Sequence, residues 1–185
     1  MKSLLAVILL APSVALAQSY TYPSFQQPTL VEREYNFAAA DAGRAGTTLL
    51  FQWREGVSPR WQLGLDAGLA DPDGSASTRL VFGAHAAREI ARATIDFPFD
   101  VVLTGGLGFS SVDGHSVFRV PVGASVGHRF ELDGGMSLTP FVHPRLSLDR
   151  CNDCKAGAAD SKLNVDVDLG VSLQMTSQVA LRVAL

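Results

Sequence analysis

Ser116-Val117-Phe118-Arg119-Val120-Pro121-Val122-Gly123-Ala124-Ser125-Val126-Gly127-His128-Arg129-Phe130-Glu131-Leu132 is the stretch on which the fold turns. Its even positions carry Ser116, Phe118, Val120, Val122, Ala124, Val126, His128, Phe130 and Leu132. The odd positions between them carry Val117, Arg119, Pro121, Gly123, Ser125, Gly127, Arg129 and Glu131. Successive side chains of a strand point to opposite faces, so this ribbon is apolar on one side and polar or tiny on the other. It is also far longer than the roughly 5–6 residues usual for a strand.

The same alternation recurs on either side. Thr47, Leu49, Phe51 and Trp53 oppose Thr48, Leu50, Gln52 and Arg54, and after Glu55-Gly56-Val57-Ser58-Pro59 come Trp61, Leu63, Leu65, Ala67 and Leu69 opposite Gln62, Gly64, Asp66 and Gly68. Asp71-Pro72-Asp73-Gly74-Ser75 has the composition of a turn. Leu80, Phe82, Ala84 and Ala86 alternate with Arg79, Val81, Gly83, His85 and Ala87, although Ala86–Ala93 also fits a short helical turn. Phe97, Phe99, Val101, Leu103, Leu107 and Phe109 face away from Asp100, Thr104, Gly106 and Gly108.

Asp113-Gly114 and Asp133-Gly134-Gly135 bound the long ribbon as turns. Met136 to Leu148 alternates with Ser137, Thr139, Phe141, His143, Arg145 and Ser147, and its Pro140 and Pro144 are awkward for a fully paired ladder. Asp149 to Lys162 reads as a loop. Leu163 to Met175 alternates with Asn164, Asp166, Asp168, Gly170, Ser172 and Gln174. Thr176-Ser177-Gln178 reads as a tight turn, and Val179 to Leu185 as a last ribbon with Arg182 on its polar side. The expectation is an all-β antiparallel meander of about eight strands, nine if a weak ribbon through Tyr35, Phe37 and Ala39 is counted.

The N-terminus reads as an export signal over residues 1–17. Lys2 is the positive region, Leu4 to Leu10 the apolar core, and Ala15-Leu16-Ala17 a small-x-small cleavage site. Its core is too short to span a bilayer as a helix. Cleavage before Gln18 would take 17 from 185 and leave 168 residues, enough for one domain: an extended lead-in over residues 18–34 and a barrel over residues 35–185.

Although 47% of the chain is hydrophobic, no long unbroken apolar run follows the signal, so a helical membrane protein is not expected. After Lys2 only Lys155 and Lys162 remain, whereas water-bathed sheets carry Lys on exposed faces and edges. A net charge of −3 is small and argues neither for nucleic acid nor for an acidic surface, and no nucleic-acid partner is expected.

Two barrels fit such strands. A lipocalin-like cup faces its apolar side inward around a ligand; a membrane barrel turns its aliphatics to lipid and its polar groups to the lumen. Gly, Ser, Thr and mixed-sign charges on the polar side suit the second, because eight strands leave an interior that side chains just fill. Unpaired buried charge would cost several kcal/mol each, so the expected lumen is a network of ion pairs: Arg54, Asp66, Arg79, Asp100, Arg119, Arg129, Arg145, Asp166 and Asp168. Phe51, Trp53, Trp61, Phe97, Phe99, Phe109, Phe118 and Phe130 on the apolar side fit aromatic girdles, or else the core of a soluble sandwich.

The signal peptide, the meander and short turns such as Arg54-Glu55-Gly56-Val57-Ser58-Pro59-Arg60-Trp61 resemble the small bacterial outer-membrane β-barrel superfamily, of the OmpA transmembrane domain and OmpX type. The resemblance covers nearly the whole mature chain and is one of pattern, not of a diagnostic motif. It implies an up-and-down transmembrane β-barrel in the outer membrane, porin-like, with short turns on the periplasmic side. Its implied partners are outer-membrane lipid and the barrel insertion machinery. Members usually end in an aromatic residue; this chain ends Val183-Ala184-Leu185, and its last ribbon falls short of the roughly 9–11 residues that cross a membrane.

Candidate chemistry is sparse. In an oxidising compartment, Cys151-Asn152-Asp153-Cys154 reads as a local loop disulfide, with a metal site on Asp149, Asp153 and Asp160 as the lesser reading. His85 and His143 lie on the lumen side, His115 in a turn and His128 on the lipid side. His143 and Ser147 share a face but stand about 13 Å apart at ~3.3 Å per residue. With no Gly-x-Ser-x-Gly elbow, phosphate loop or zinc helix, neither an enzyme nor a cofactor is expected. The functional expectation is a structural, adhesive or surface-loop binding role with a filled lumen. A narrow pore for small solutes and a soluble lipocalin-like binder of an apolar ligand are the alternatives, and any extracellular partner is left open.

Overall fold

A computed structural model describes residues 26–41, 47–71, 77–112, 115–155 and 158–184. The expected signal peptide, the start of the lead-in, and the turn positions 72–75 and 113–114 lie outside the described residues. The chain is an all-β meander. Its strands are β1 (Arg33–Asp41), β2 (Thr47–Ser58), β3 (Trp61–Asp71), β4 (Arg79–Ala91), β5 (Asp100–Val112), β6 (His115–Gly127), the stub β7 (Phe130–Glu131), β8 (Ser137–Lys155), β9 (Ala158–Gln174) and β10 (Ala180–Ala184). Each strand of the main path pairs antiparallel with the next in one curled sheet ordered β1-β2-β3-β4-β5-β6-β8-β9-β10, with β7 beside β8, as an antiparallel barrel requires.

Nine strands stand in the main path among the described residues, the count that includes the weak ribbon at Tyr35. The weak ribbon at Tyr35 is a full strand, nine residues in register with β2 from Arg33↔Glu55 to Asp41↔Thr47. Cross-strand contacts with β2 override the poor strand propensity of Ala38-Ala39-Ala40. Residues 33 and 34, assigned by sequence to the lead-in, belong to β1. Residues 86–91 continue β4, with a register shift between Glu89 and Ala91, and form no helical turn. In contrast, β5 begins at Asp100, not Phe97. Pro98 lacks a backbone donor, and residues 93–97 close a turn in which Thr94 N–H bonds Phe97 O at 2.7 Å and Phe97 N–H bonds Thr94 Oγ1 at 3.1 Å.

The loop expected over Asp149–Lys162 is mostly strand. β8 and β9 keep one register from Ser137↔Gln174 to Cys151↔Asp160, and Lys155↔Ala158 is paired after a shift. The long ribbon is interrupted after Gly127, yet its register survives: Ser116↔Asn152, Gly123↔Arg145, Gly127↔Phe141 and Phe130↔Leu138 all belong to one alignment. The breaks sit opposite proline. Pairing lapses beside Pro144 and again beside Pro140, and the β5–β6 ladder lapses beside Pro121. A residue without N–H leaves a ladder position empty without moving its neighbours, which is how β8 accommodates two prolines.

The ends match the turn chemistry. Gly134 and Gly135 take φ of 75° and 77°, a left-handed conformation glycine adopts without strain. Thr176 Oγ1 accepts from the N–H groups of Gln178 and Val179, closing the β9–β10 turn.

Burial runs opposite to that of a water-soluble sheet. Arg54, Gln52, Gln62, Thr48 and His143 are almost wholly buried, while Leu63, Leu65, Leu103, Leu107, Phe82, Val165 and Leu169 of the other face are exposed. The polar face is thus the inside of the curl. Residues 26–32 run into its lower end, defined by the short β2–β3, β4–β5 and β9–β10 connections. There Ser125 Oγ donates to Gln26 O at 2.7 Å, Gln62 Nε2 to Val31 O at 2.9 Å, and Gly56 N–H to Glu32 O at 2.7 Å.

Candidate functional site: the charged inner face of the curled sheet

Alternation places the polar residues inward, and register then selects which of them meet. Three clusters result. At the lower end Glu34 of β1 accepts from Arg54 Nη1 of β2 and from Arg182 Nη2 of β10, each at 2.7 Å. Asn36 Nδ2 donates to Gln52 Oε1 at 2.8 Å, and Arg54 Nη2 reaches the same oxygen at 3.3 Å. Because β1 and β10 are the two edges of the sheet, one carboxylate between two guanidinium groups holds its margins together.

The second cluster joins β6, β8 and β9. Arg119 forms a fork to Asp149, Nε to Oδ1 and Nη2 to Oδ2 at 2.8 Å each, with both side chains only 5% exposed. Asn164 Nδ2 donates to Asp149 Oδ2 at 2.7 Å, and Asp166 Oδ2 lies 3.7 Å from Arg119 Nη1. Parallel N–H···O bonds of this kind are strong and directional.

In the third, Arg145 pairs with Asp168 across β8 and β9. His143 stands 3.7 Å from Asp168 through Nδ1 and 2.9 Å from Thr104 Oγ1 through Nε2. A hydroxyl, an imidazole and a carboxylate are thus aligned, but Thr104 and His143 are 3% and 0% exposed, so the hydroxyl is not presented to solvent.

Glycine makes the room. A Cβ at Gly64 would collide with the His85 ring, one at Gly170 with the Phe141 ring, and one at Gly123 would lie 2.6 Å from Arg145 Cγ. Phe141 is buried on the polar face, filling space that Gly170 vacates.

Of the residues expected to form the network, Arg54, Arg119, Arg145, Asp166 and Asp168 meet charged partners inside. Asp66 is buried and Arg79 is half-buried on the same face. Asp100 is buried but serves the turn, its Oδ1 accepting from Ala93 N–H at 2.9 Å. Arg129 lies apart: it follows β6 into the connection, half exposed, and pairs with Glu131.

Two central carboxylates escape the sequence reading, which places Glu34 in the lead-in and Asp149 in a loop. Asp149 nevertheless keeps the phase of Arg145 and Ser147, a signal sufficient to find it. Of the lesser metal reading, Asp149 is held by Arg119 and Asn164, and the side chain of Asp153 lies outside the described residues. The Cys151 partner expected at Cys154 has a side chain outside the described residues. Comparison with known proteins adds no family to this architecture: no family model, curated protein or solved structure matches the chain.

Proposed function

We propose that this chain is a small, non-enzymatic barrel of a bacterial outer membrane, exported by its signal peptide and acting as a structural, adhesive or loop-binding surface protein with a plugged lumen. The observation that carries this reading is the inverted burial. A continuous coat of Leu, Val and Phe covers the outer face, and Arg, Asp, His and Gln fill the inner one. In water such a coat would drive association; in lipid it is the expected exterior. The main strands β2 to β6, β8 and β9, of 11 to 19 residues, reach or exceed the roughly 9–11 needed to cross a bilayer.

The buried Arg119–Asp149 fork and residues 26–32 across the lower end support a filled lumen over a pore. An apolar cup would need the opposite curl. On this reading a disulfide between Cys151 and Cys154 would stiffen the far end of the β8–β9 hairpin.

The test is fractionation of expressing cells, followed by electrophoresis of the membrane fraction with and without boiling. Recovery with the outer membrane and a mobility shift on boiling are expected. A product released into the periplasm without detergent, with no shift, would overturn the proposal.

A further inference from the structure

We propose that the outer face of β1–β6 carries a binding groove for one phospholipid whose headgroup holds both a phosphodiester and a primary ammonium. The inference rests on the membrane reading above and assigns a ligand to a face that reading treats only as a coat.

The groove occupies about 1120 Å³ and is lined chiefly by Phe51, Leu65, Ala67, Phe82, Ala84 and Leu107, with Arg33 and Glu55 at one end. Register explains its shape. Ala67 pairs with Phe82 and Leu65 with Ala84, so two methyl-sized residues sit on the diagonal of a square whose other corners are large. Phe51 pairs with Ala67 on the β2 side, and Leu107 with Ala84 on the β5 side, giving the dent tall walls. Five interstrand steps of ~4.8 Å from β1 to β6 make the groove about 24 Å long.

The end of the groove selects the headgroup. Arg33 grips Glu55 through Nε and Nη2, both at 2.7 Å, and the Arg33 side chain is 59% exposed. Tyr35 stacks near Phe51 at 6.4 Å between ring centroids. A neighbouring rim pair, Arg88 over Trp61 at 5.4 Å, repeats the mixture of aromatic and cation found at a headgroup boundary.

An exposed ion pair contributes little by itself. It can open to place Arg33 on a phosphate and Glu55 on an ammonium, exchanging one pair of contacts for two. A purely anionic headgroup would leave Glu55 opposed to negative charge, and a quaternary ammonium has no N–H to donate. The sign and adjacency of Arg33 and Glu55 therefore match an aminophospholipid of the phosphatidylethanolamine type.

Native mass spectrometry of the full chain, extracted from membranes in mild detergent, reads both occupancy and headgroup. One retained aminophospholipid per chain is expected, enriched at least fivefold over its share of the bulk lipid. Ala67→Trp, which fills the dent from outside, should lower occupancy about tenfold. Arg33→Gln with Glu55→Gln should keep a lipid but abolish the headgroup preference.

Boiling-dependent mobility is scored on every variant. Retained mobility shift with no enrichment, or with occupancy indifferent to Ala67→Trp, would overturn the groove and leave the barrel standing. A second filling variant, Ala84→Trp, covers the case in which the first fails to insert. Loss of the shift in the unaltered chain would overturn the membrane reading and the groove with it.

Discussion

Removing one partner of the Arg119–Asp149 fork tests whether the lumen is dry. In Asp149→Ala, Arg119 loses two bonds of 2.8 Å and keeps Asp166 Oδ2 at 3.7 Å, while Asn164 Nδ2 loses its acceptor. Both members of the pair are 5% exposed, so the stranded guanidinium cannot recover its hydration in place. Breaking a buried pair from one side costs about 3–5 kcal/mol, whereas replacing both members by apolar groups of similar volume is often neutral.

Urea unfolding in detergent micelles measures this directly. With a slope of about 2 kcal/mol per molar, inside the usual ~1–3 range, the single variant should unfold at about 1.5–2.5 M lower urea. Arg119→Met combined with Asp149→Leu should recover most of that loss. A midpoint for Asp149→Ala within ~0.3 M of the unaltered chain is incompatible with a dry interior, because water would then have to reach Arg119 and hydrate the lumen along its length.

The other expectations follow from the same interior. Gly64→Val drives a branched side chain into the His85 ring, and overpacking of this kind costs about 1–3 kcal/mol; a lowered thermal midpoint of the boiling-dependent band reads it. Arg182→Ala removes the β10 partner of Glu34 while Arg54 remains, so amide exchange should rise in residues 180–184 and in β1 but not in β5 or β6. The unaltered chain in planar bilayers should pass no steady current. Arg54→Ala with Arg119→Ala, if the protein inserts, should pass some, and a conducting unaltered chain would sink the plugged lumen.

The strands are legible in the sequence because the period of two is a local property, and a face that must be buried or lipid-covered imprints it on every second residue. Hence the separation of Arg54, Arg119, Arg145 and His143 from Leu63, Leu65, Phe82 and Phe109 follows from the alternation, and the small residues and mixed-sign charges beside the first set point it inward. Where the local signal is weak, neighbours prevail. Ala38-Ala39-Ala40 forms strand because Leu50, Leu49 and Thr48 pair with it. Residues 150–155, rich in turn formers, continue β8 because its hairpin with β9 is already in register.

Fold class, face polarity and most inward charges are thus written in the chain itself, since each depends on residues one or two positions apart. Which charges meet is settled in three dimensions. Glu34 and Arg182 lie 148 positions apart in sequence and 2.7 Å apart in space, and Arg119 meets Asp149 because β6 pairs with β8 past the intervening stub. Pairing register and the closeness of sheet edges are sums over many distant contacts, and no local pattern carries them.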